Sequence, residues 1–195
     1  MNLFDSHSHY NDEKFDKDRE QIIKETLENG VSNFIVAGYN IEGSKKAIQI
    51  AEKYEQIYTT AGISPNDVED IKENVNSSIS KIEKIAKNKK VVAIGEIGLD
   101  YYWNKENKEL QKEVFIKQIE IANKLDLPIV IHTRDAFIDI IEILKQNNVN
   151  KKGIFHCCPL NQELVKEAVK LGYYISLSGV ITFKNAKNVE EILSL

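Results

Sequence analysis

Phe4-Asp5-Ser6-His7-Ser8-His9 opens the chain with a short extended run whose end carries two imidazoles at i and i+2. On a β-strand that spacing puts both side chains on one face. Two imidazoles on one face chelate a single transition-metal ion, for which imidazole is the commonest protein ligand. A lone His-x-His is as easily a polar turn facing water. The chain, however, has only four histidines, and the other two, His132 and His156, also close short apolar runs that read as buried strands. All of its imidazoles therefore sit at strand ends.

Outward from that stretch, strands alternate with helices. Asp16 to Asn29 reads as a helix stopped at Asn29-Gly30, and Val31 to Ala37 as a strand. Ser44 is placed to cap a helix running to Tyr54, and Ile57 to Ile63 is the third strand. A helix from Asn76 to Asn88 leads to the fourth strand, Val91 to Ile94, closed by Gly95-Glu96-Ile97-Gly98. The helix Glu106 to Leu125 precedes the fifth strand, Pro128 to Ile131, ended by His132; the next helix is Ala136 to Gln146. Gly153 to Phe155 is the sixth strand, ended by His156, and Asn161 to Leu171 the helix after it. Tyr173 to Ser178 is the seventh strand, and Asn188 to Leu195 reads as a further helix. Neither a linker nor a low-complexity tract interrupts residues 1–195, which read as one domain.

Strict alternation with continuous apolar strands implies an α/β protein with a parallel sheet covered by helices. The two candidates are a doubly wound open sheet and a TIM-type (β/α) barrel. In both, functional groups collect beyond the carboxyl ends of the strands. His7, His9, Glu96, His132 and His156 all occupy that end. An open sheet would spread them along an edge, whereas a barrel curls strands one, four, five and six around one mouth. The ligand pattern selects the barrel, with seven of its eight strands evident. Such a barrel typically takes about 250 residues, and the sequence has 195. We expect a gap between strands seven and one, covered by further chain or by self-association with a second copy.

Composition narrows the class. Hydrophobic residues make up 42% and charged residues 29%, a globular balance. A net charge of −4 argues against holding DNA by a broad basic surface. It leaves nucleic acid open as a substrate, because bound divalent ions attract phosphate themselves. The two cysteines, Cys157 and Cys158, are adjacent, which favours a reducing compartment over a disulfide. The start of the chain lacks the apolar core of a signal peptide, and no apolar run reaches the roughly 18 residues of a membrane span. The expectation is a cytoplasmic protein that does not meet membrane.

Five donors of this kind exceed what one tetrahedral ion needs. Two divalent ions would use them well, with His7 and His9 on one, His132 and His156 on the other, and Glu96 between. Paired ions about 3.5–4 Å apart clamp the attacking and leaving oxygens of a displacement and lower the pKa of a bound water. Glu96 is thereby the candidate catalytic carboxylate, its flanking glycines arguing against an ordinary solvated acid. This donor set suits zinc, manganese or cobalt, and magnesium less well. Tyr101 and Tyr102, with Trp103, are candidates for stacking on bases at the mouth. Arg134 is placed to hold a phosphate, and Lys184 shares that face. Gly38 to Lys45 has the spacing of a phosphate loop, but its Ser44 precedes Lys45 where a Walker loop needs the reverse, and we reject it. Cys157 is expected to be a packed small side chain and not a nucleophile.

At these residues the sequence resembles the TatD family of metal-dependent deoxyribonucleases. The motifs are Phe4-Asp5-Ser6-His7-Ser8-His9, Gly95-Glu96-Ile97-Gly98-Leu99-Asp100-Tyr101, His132-Thr133-Arg134-Asp135-Ala136 and Phe155-His156-Cys157, with Tyr174-Ile175-Ser176 and Gly179 to Asn185 further on. The resemblance implies a TIM-type barrel, two divalent ions and hydrolysis of DNA, often from a 3′ end; RNA is kept as an alternative substrate beside it. Carried over by position, the family's metal ligands fall on His7, His9, Glu96, His132 and His156. Two departures stand out. Gly62-Ile63-Ser64-Pro65 has serine where the family usually has histidine, and the eighth-strand Glu-Thr-Asp segment is not among these residues. From the second we expect weak binding at the site of His7 and His9. The competing expectations are an amide or carboxylic ester substrate for the same barrel, and a shortened relative with little activity.

Overall fold

The computed structural model describes residues 2–195. Seven strands, β1 (Leu3–Ser8), β2 (Val31–Val36), β3 (Ile57–Ala61), β4 (Val91–Asp100), β5 (Ile129–Arg134), β6 (Ile154–Phe155) and β7 (Tyr174–Ile175), alternate with helices. The helices are α1 (Arg19–Glu28), α2 (Ile41–Ala51), α3 (Val75–Ile85), α4 (Lys108–Leu125), α5 (Phe137–Gln146), α6 (Gln162–Lys170) and α7 (Val189–Leu193). Every pairing is parallel, and the spatial order follows the chain from β1 to β7.

That order excludes the doubly wound alternative, in which strand order reverses at a switch point. The sheet also curls. Five inter-strand steps separate β1 from β6, on the order of 24 Å in a flat sheet. Yet the rings of His7 on β1 and His156 after β6 stack with centroids 3.8 Å apart. The architecture is a TIM-type α/β barrel with seven strands, β1 and β7 forming its edges. Leu3 and Phe4 on one edge and Tyr174 on the other are exposed.

The apolar residues lie where the alternation puts them. Ile94, Ile97 and Leu99 of β4 and Ile129 and Ile131 of β5 are fully buried against Val114, Phe115 and Ile119 of α4 and Ile140 of α5. A smaller cluster joins Ile23 of α1, Phe34 and Val36 of β2, Ala47 of α2 and Ile57 of β3. Helix stripes thus seal the outside of the sheet and leave the carboxyl ends of its strands open for chemistry.

Several boundaries differ from expectation, β5 among them, which runs on through His132 to Arg134, and three differ for clear local reasons. Helix α2 begins four residues early because Asn40, not Ser44, is its cap: the Asn40 Oδ1 accepts the Gly43 N–H at 2.8 Å. Ser44 is buried inside the helix, where its Oγ accepts the Gly62 N–H at 3.3 Å. β7 stops at Ile175, short of Ser178. The chain beyond still bonds towards β6, Ser176 N–H to Phe155 O at 2.9 Å, but Cys157 at φ +44° breaks the regular ladder.

The third difference matters most. β4 does not end at Ile94 but runs to Asp100 through a bulge, its pairing passing from Ile94–Ile129 to Ile97–Ile131. Three steps on β4 match two on β5, so Glu96 falls at the bulge, where such irregularities re-aim a side chain. The Gly95–Glu96 peptide is cis, and the Glu96 N–H donates to Gly38 O. Gly98, at φ +138°, then returns the strand to register opposite His132. A Cβ on Gly98 would lie 2.0 Å from the His132 carbonyl oxygen. Gly98→Ala is therefore expected to lower unfolding free energy by about 3 kcal/mol or more in denaturant titration, from strain and clash together.

Candidate metal centre

Four imidazoles reach one carboxylate. His7 extends from β1 and His9 follows it directly; His132 lies within β5, and His156 follows β6. Glu96, at the β4 bulge, is 7% exposed. One carboxylate oxygen, Oε2, lies 3.2 Å from His7 Nε2 and 3.5 Å from His9 Nε2. The other, Oε1, lies 2.9 Å from His132 Nδ1 and 3.2 Å from His156 Nε2. Two groups of three donors result, His7–His9–Glu96 and Glu96–His132–His156, each with its ligand atoms within 4.8 Å of one another.

The arrangement fits metal better than a hydrogen-bonded cluster. His7 Nε2 and His9 Nε2 stand 3.0 Å apart, a contact in which at most one nitrogen can donate. His156 Nε2 is buried and has no hydrogen-bond partner, although it faces Glu96. Buried polar atoms are nearly always satisfied. A lone pair aimed at a shared cation accounts for both observations, and the donor set of imidazoles and carboxylate is that of transition-metal sites.

Electrostatics at the cluster follow from burial and from these contacts. For Glu96, burial favours the neutral acid, but the imidazoles of His132, His156 and His7 facing its two oxygens prevail and hold the carboxyl well below its usual range. Burial, with the neighbouring His7, lowers His9 to about 4, and burial likewise lowers His156. His132 goes the other way. Burial would lower it, but hydrogen bonds to Asp100 and Glu96 dominate and raise it from 6.5 to about 9.

Asp100 is the functional residue that strand-end reasoning missed. It lies beyond the expected end of the fourth strand, yet it ends β4, and its Oδ2 lies 2.9 Å from His132 Nε2. An acid two turns of the pleat beyond Glu96 was the available signal, but only the longer strand gives it meaning. Such a partner fixes which ring nitrogen faces the metal. Here His132 presents Nδ1, and the other three histidines present Nε2.

The residues expected to touch substrate divide. Tyr101 is not placed to stack on a base: it is 6% exposed, its hydroxyl donates to Asp139 Oδ2 at 2.6 Å, and the Lys108 ammonium covers its ring at 4.4 Å. It anchors the loop. Tyr102 is exposed, and the Arg134 guanidinium lies over its ring at 3.7 Å. Arg134 makes no ion pair among the described residues. Lys184 is exposed, past the short 3₁₀ turn that follows β7. Cys157 is exposed, contrary to expectation, with Sγ 2.8 Å from Ser178 Oγ; the buried cysteine is Cys158.

A curled parallel sheet with histidines and a carboxylate converging at the carboxyl ends of its strands defines a class, the metal-dependent hydrolases of TIM-type fold. Comparison with known proteins narrows it. The profile of the family described as TatD related DNase matches residues 4–195. YabD of Bacillus subtilis, named as an uncharacterized metal-dependent hydrolase, is 40% identical over 192 residues, which cover 98% of this chain and 74% of YabD. The 3′-5′ ssDNA/RNA exonuclease TatD of Cronobacter sakazakii is 31% identical over 178 residues, 91% of this chain and 66% of that protein. The crystal structure of YjjV, a TatD homologue of Escherichia coli, superposes with a TM-score of 0.90 at 26% identity, covering 98% of this chain and 73% of that one. The chain belongs to the TatD related DNase family. In addition, no helix among the described residues is long and apolar enough to cross a membrane.

The raised His132 pKa makes metal binding a proton-releasing event. Without metal, both ring nitrogens of His132 donate, to Glu96 and to Asp100; a ligating imidazole must give one proton up. Zinc titration in weak buffer near pH 7.5 is expected to release about one proton per site from this ring, the release fading as the pH passes about 9. The same group sets a pH window for the chelated protein. Its folded pKa lies above the unfolded value, so its stabilisation is complete below about 6.5 and is lost as pH rises through about 9. Thermal melts in chelator should fall across that window, and those of His132→Gln should not.

Proposed function

We propose that the chain is a phosphodiesterase acting on DNA, with two divalent ions at the carboxylate-centred cluster. The observation that carries this reading is the division of Glu96 between two histidine pairs, one oxygen to each. In it His7 and His9 hold one ion, His132 and His156 the other, and Glu96 both. When bound, the pair supplies Lewis acidity to a phosphoryl oxygen and makes water a competent nucleophile near neutral pH. Zinc, manganese or cobalt suits the donors, and magnesium suits them less.

Everything else is done by the chain's own groups. Burial of Glu96 keeps bulk water from competing for the donors. His132 and Arg134, two residues apart on β5, project on one face, so the guanidinium stands one step beyond the metal donors. There it can take two oxygens of a phosphate in a bidentate hydrogen bond. The Tyr102 ring supports the guanidinium plane from below. Lys184 is the further cation we assign to the substrate strand. Support for a polynucleotide comes from the Cronobacter relative, whose name gives single-stranded DNA and RNA and a 3′-5′ direction.

The test is a panel of single-stranded DNA, duplex DNA, RNA and small carboxylic esters, each with and without chelator. Metal-dependent release of nucleotides from DNA is expected; turnover of the esters alone would overturn the reading. His132→Ala should cost at least about a hundredfold in rate, the upper range for disturbing even the outer partners of metal ligands, with manganese added in excess. Arg134→Ala should raise KM for DNA about tenfold and leave kcat within about threefold, since it removes a charge-assisted phosphate contact worth about 1.5–3 kcal/mol.

A further inference from the structure

Asp100 is held through both carboxylate oxygens and both main-chain groups. Its Oδ2 meets His132 Nε2 at 2.9 Å. Its Oδ1 accepts two main-chain N–H groups, from Tyr102 at 3.0 Å and from Trp103 at 3.1 Å. Its own main chain is held by Gln111 of α4: the Asp100 N–H donates to Gln111 Oε1 at 2.8 Å, and Gln111 Nε2 donates to Asp100 O at 3.0 Å. Past Ala61, β3 no longer flanks β4, so the Gln111 amide replaces the missing ladder with a two-bond pair of its own. Gln111 is fully buried, and its Nε2 also donates to Asn104 O at 3.1 Å and to Asn107 Oδ1 at 2.8 Å. Asp100 and Gln111 are thus fixed from the helix side.

What Asp100 holds on its other side belongs to two different tasks. One oxygen fixes the ring of a metal donor. The other fixes the turn whose Tyr102 and Trp103 rings stand 3.7 Å and 5.5 Å from the Arg134 guanidinium. The one carboxylate therefore sets both the orientation of the His132 ring and the geometry of the Tyr102–Trp103 turn.

We propose that Asp100, locked by Gln111, is a positioning residue that couples the metal donor His132 to the aromatic–arginine substrate contact, so that filling the metal centre and ordering that contact are one event. The inference rests on the metal-centre part of the proposed function and is independent of which polymer is cleaved. An amide cannot replace the carboxylate here. Asn at this position has one carbonyl oxygen, which can serve the imidazole N–H or the two main-chain N–H groups. Its amino group then faces donors on the other side.

Trp103 is the only tryptophan in the chain and is exposed, so its emission reports the turn directly. Zinc is the probe, being free of redox and d-electron effects. In the wild type, zinc is expected to bind and to shift Trp103 emission with the same midpoint as calorimetric binding. Asp100→Asn should bind zinc about tenfold to a hundredfold more weakly, and its Trp103 emission should no longer follow zinc. Tyr102→Ala, which leaves Asp100 and His132 in contact and removes only the coupled ring, should weaken zinc binding by less than Asp100→Asn does. Should circular dichroism show Asp100→Asn unfolded, Asp100→Glu, which keeps the charge and lengthens the arm, should show the same loss of affinity. Wild-type zinc affinity or a wild-type emission response in the folded variant overturns the coupling, as does a loss in Tyr102→Ala equal to that in Asp100→Asn. A wild type that binds no zinc, manganese or cobalt overturns the metal centre itself, a result distinct from the others.

Discussion

A buried carboxylate shared by four imidazoles is the constraint on which this structure turns. An ionised group at the position of Glu96 is costly unless it is paired. The chain meets that requirement by bringing partners from β1, β5 and β6 to a residue on β4. Several otherwise odd features serve the same end. The bulge between Ile94 and Ile97 re-aims the carboxylate, and Gly98 brings β4 back against β5 where a Cβ could not pass. The curl of the sheet lets strands distant in order share one mouth. The carboxylate and its neighbour are matched in charge: contacts with Asp100 and Glu96 raise His132, and the surrounding imidazoles lower Glu96.

Much of this was legible in the sequence, for a physical reason. Parallel strands buried on both faces are continuous apolar runs, and their carboxyl ends are where polar side chains gather. Four scarce histidines at such ends therefore carried both the fold and the candidate donors. What stayed hidden depended on register and on caps. Nothing local shows that β4 resumes after Gly95-Glu96, because the signal for strand continuation there is the pairing of Gly98 with His132. Asp100 and Gln111 were invisible for the same reason: their meaning lies in contacts across α4 and β5. Asn40 outranked Ser44 as a cap because Ile41 to Gly43 turned out helical in spite of the glycine.

Tyr101 and Tyr102 illustrate the limit of reading substrate contacts from composition. Neighbours of identical chemistry take opposite roles because the chain leaves the strand between them. Tyr101 still keeps sheet register, its N–H donating to Arg134 O at 2.9 Å, and its ring goes down towards α5 and Asp139. Tyr102 begins the turn held by Asp100 and stands in solvent under Arg134. An aromatic run marks a loop worth attention; only the end of the strand tells which ring is an anchor and which is a surface.

The curvature of the sheet and the convergence of the candidate metal donors go together. His7 and His156 lie on strands that five pairing steps separate, and they stack at 3.8 Å only because the sheet is curled. Their nitrogens flank the two oxygens of the same carboxylate. A cation held by such donors ties together segments nearly the whole chain apart, a geometry the unfolded chain does not offer, so its binding energy adds to folding. The pairs β1–β2 and β5–β6 need no metal, since their ladders and the helix stripes outside them are complete without it. The curl is present with the donors alone, so a cation held there would tighten a mouth that strand packing has already formed. Chelation should therefore act first on the mouth of the sheet and only later on its core, because the core is sealed by α3 to α6 on the far side of the strands.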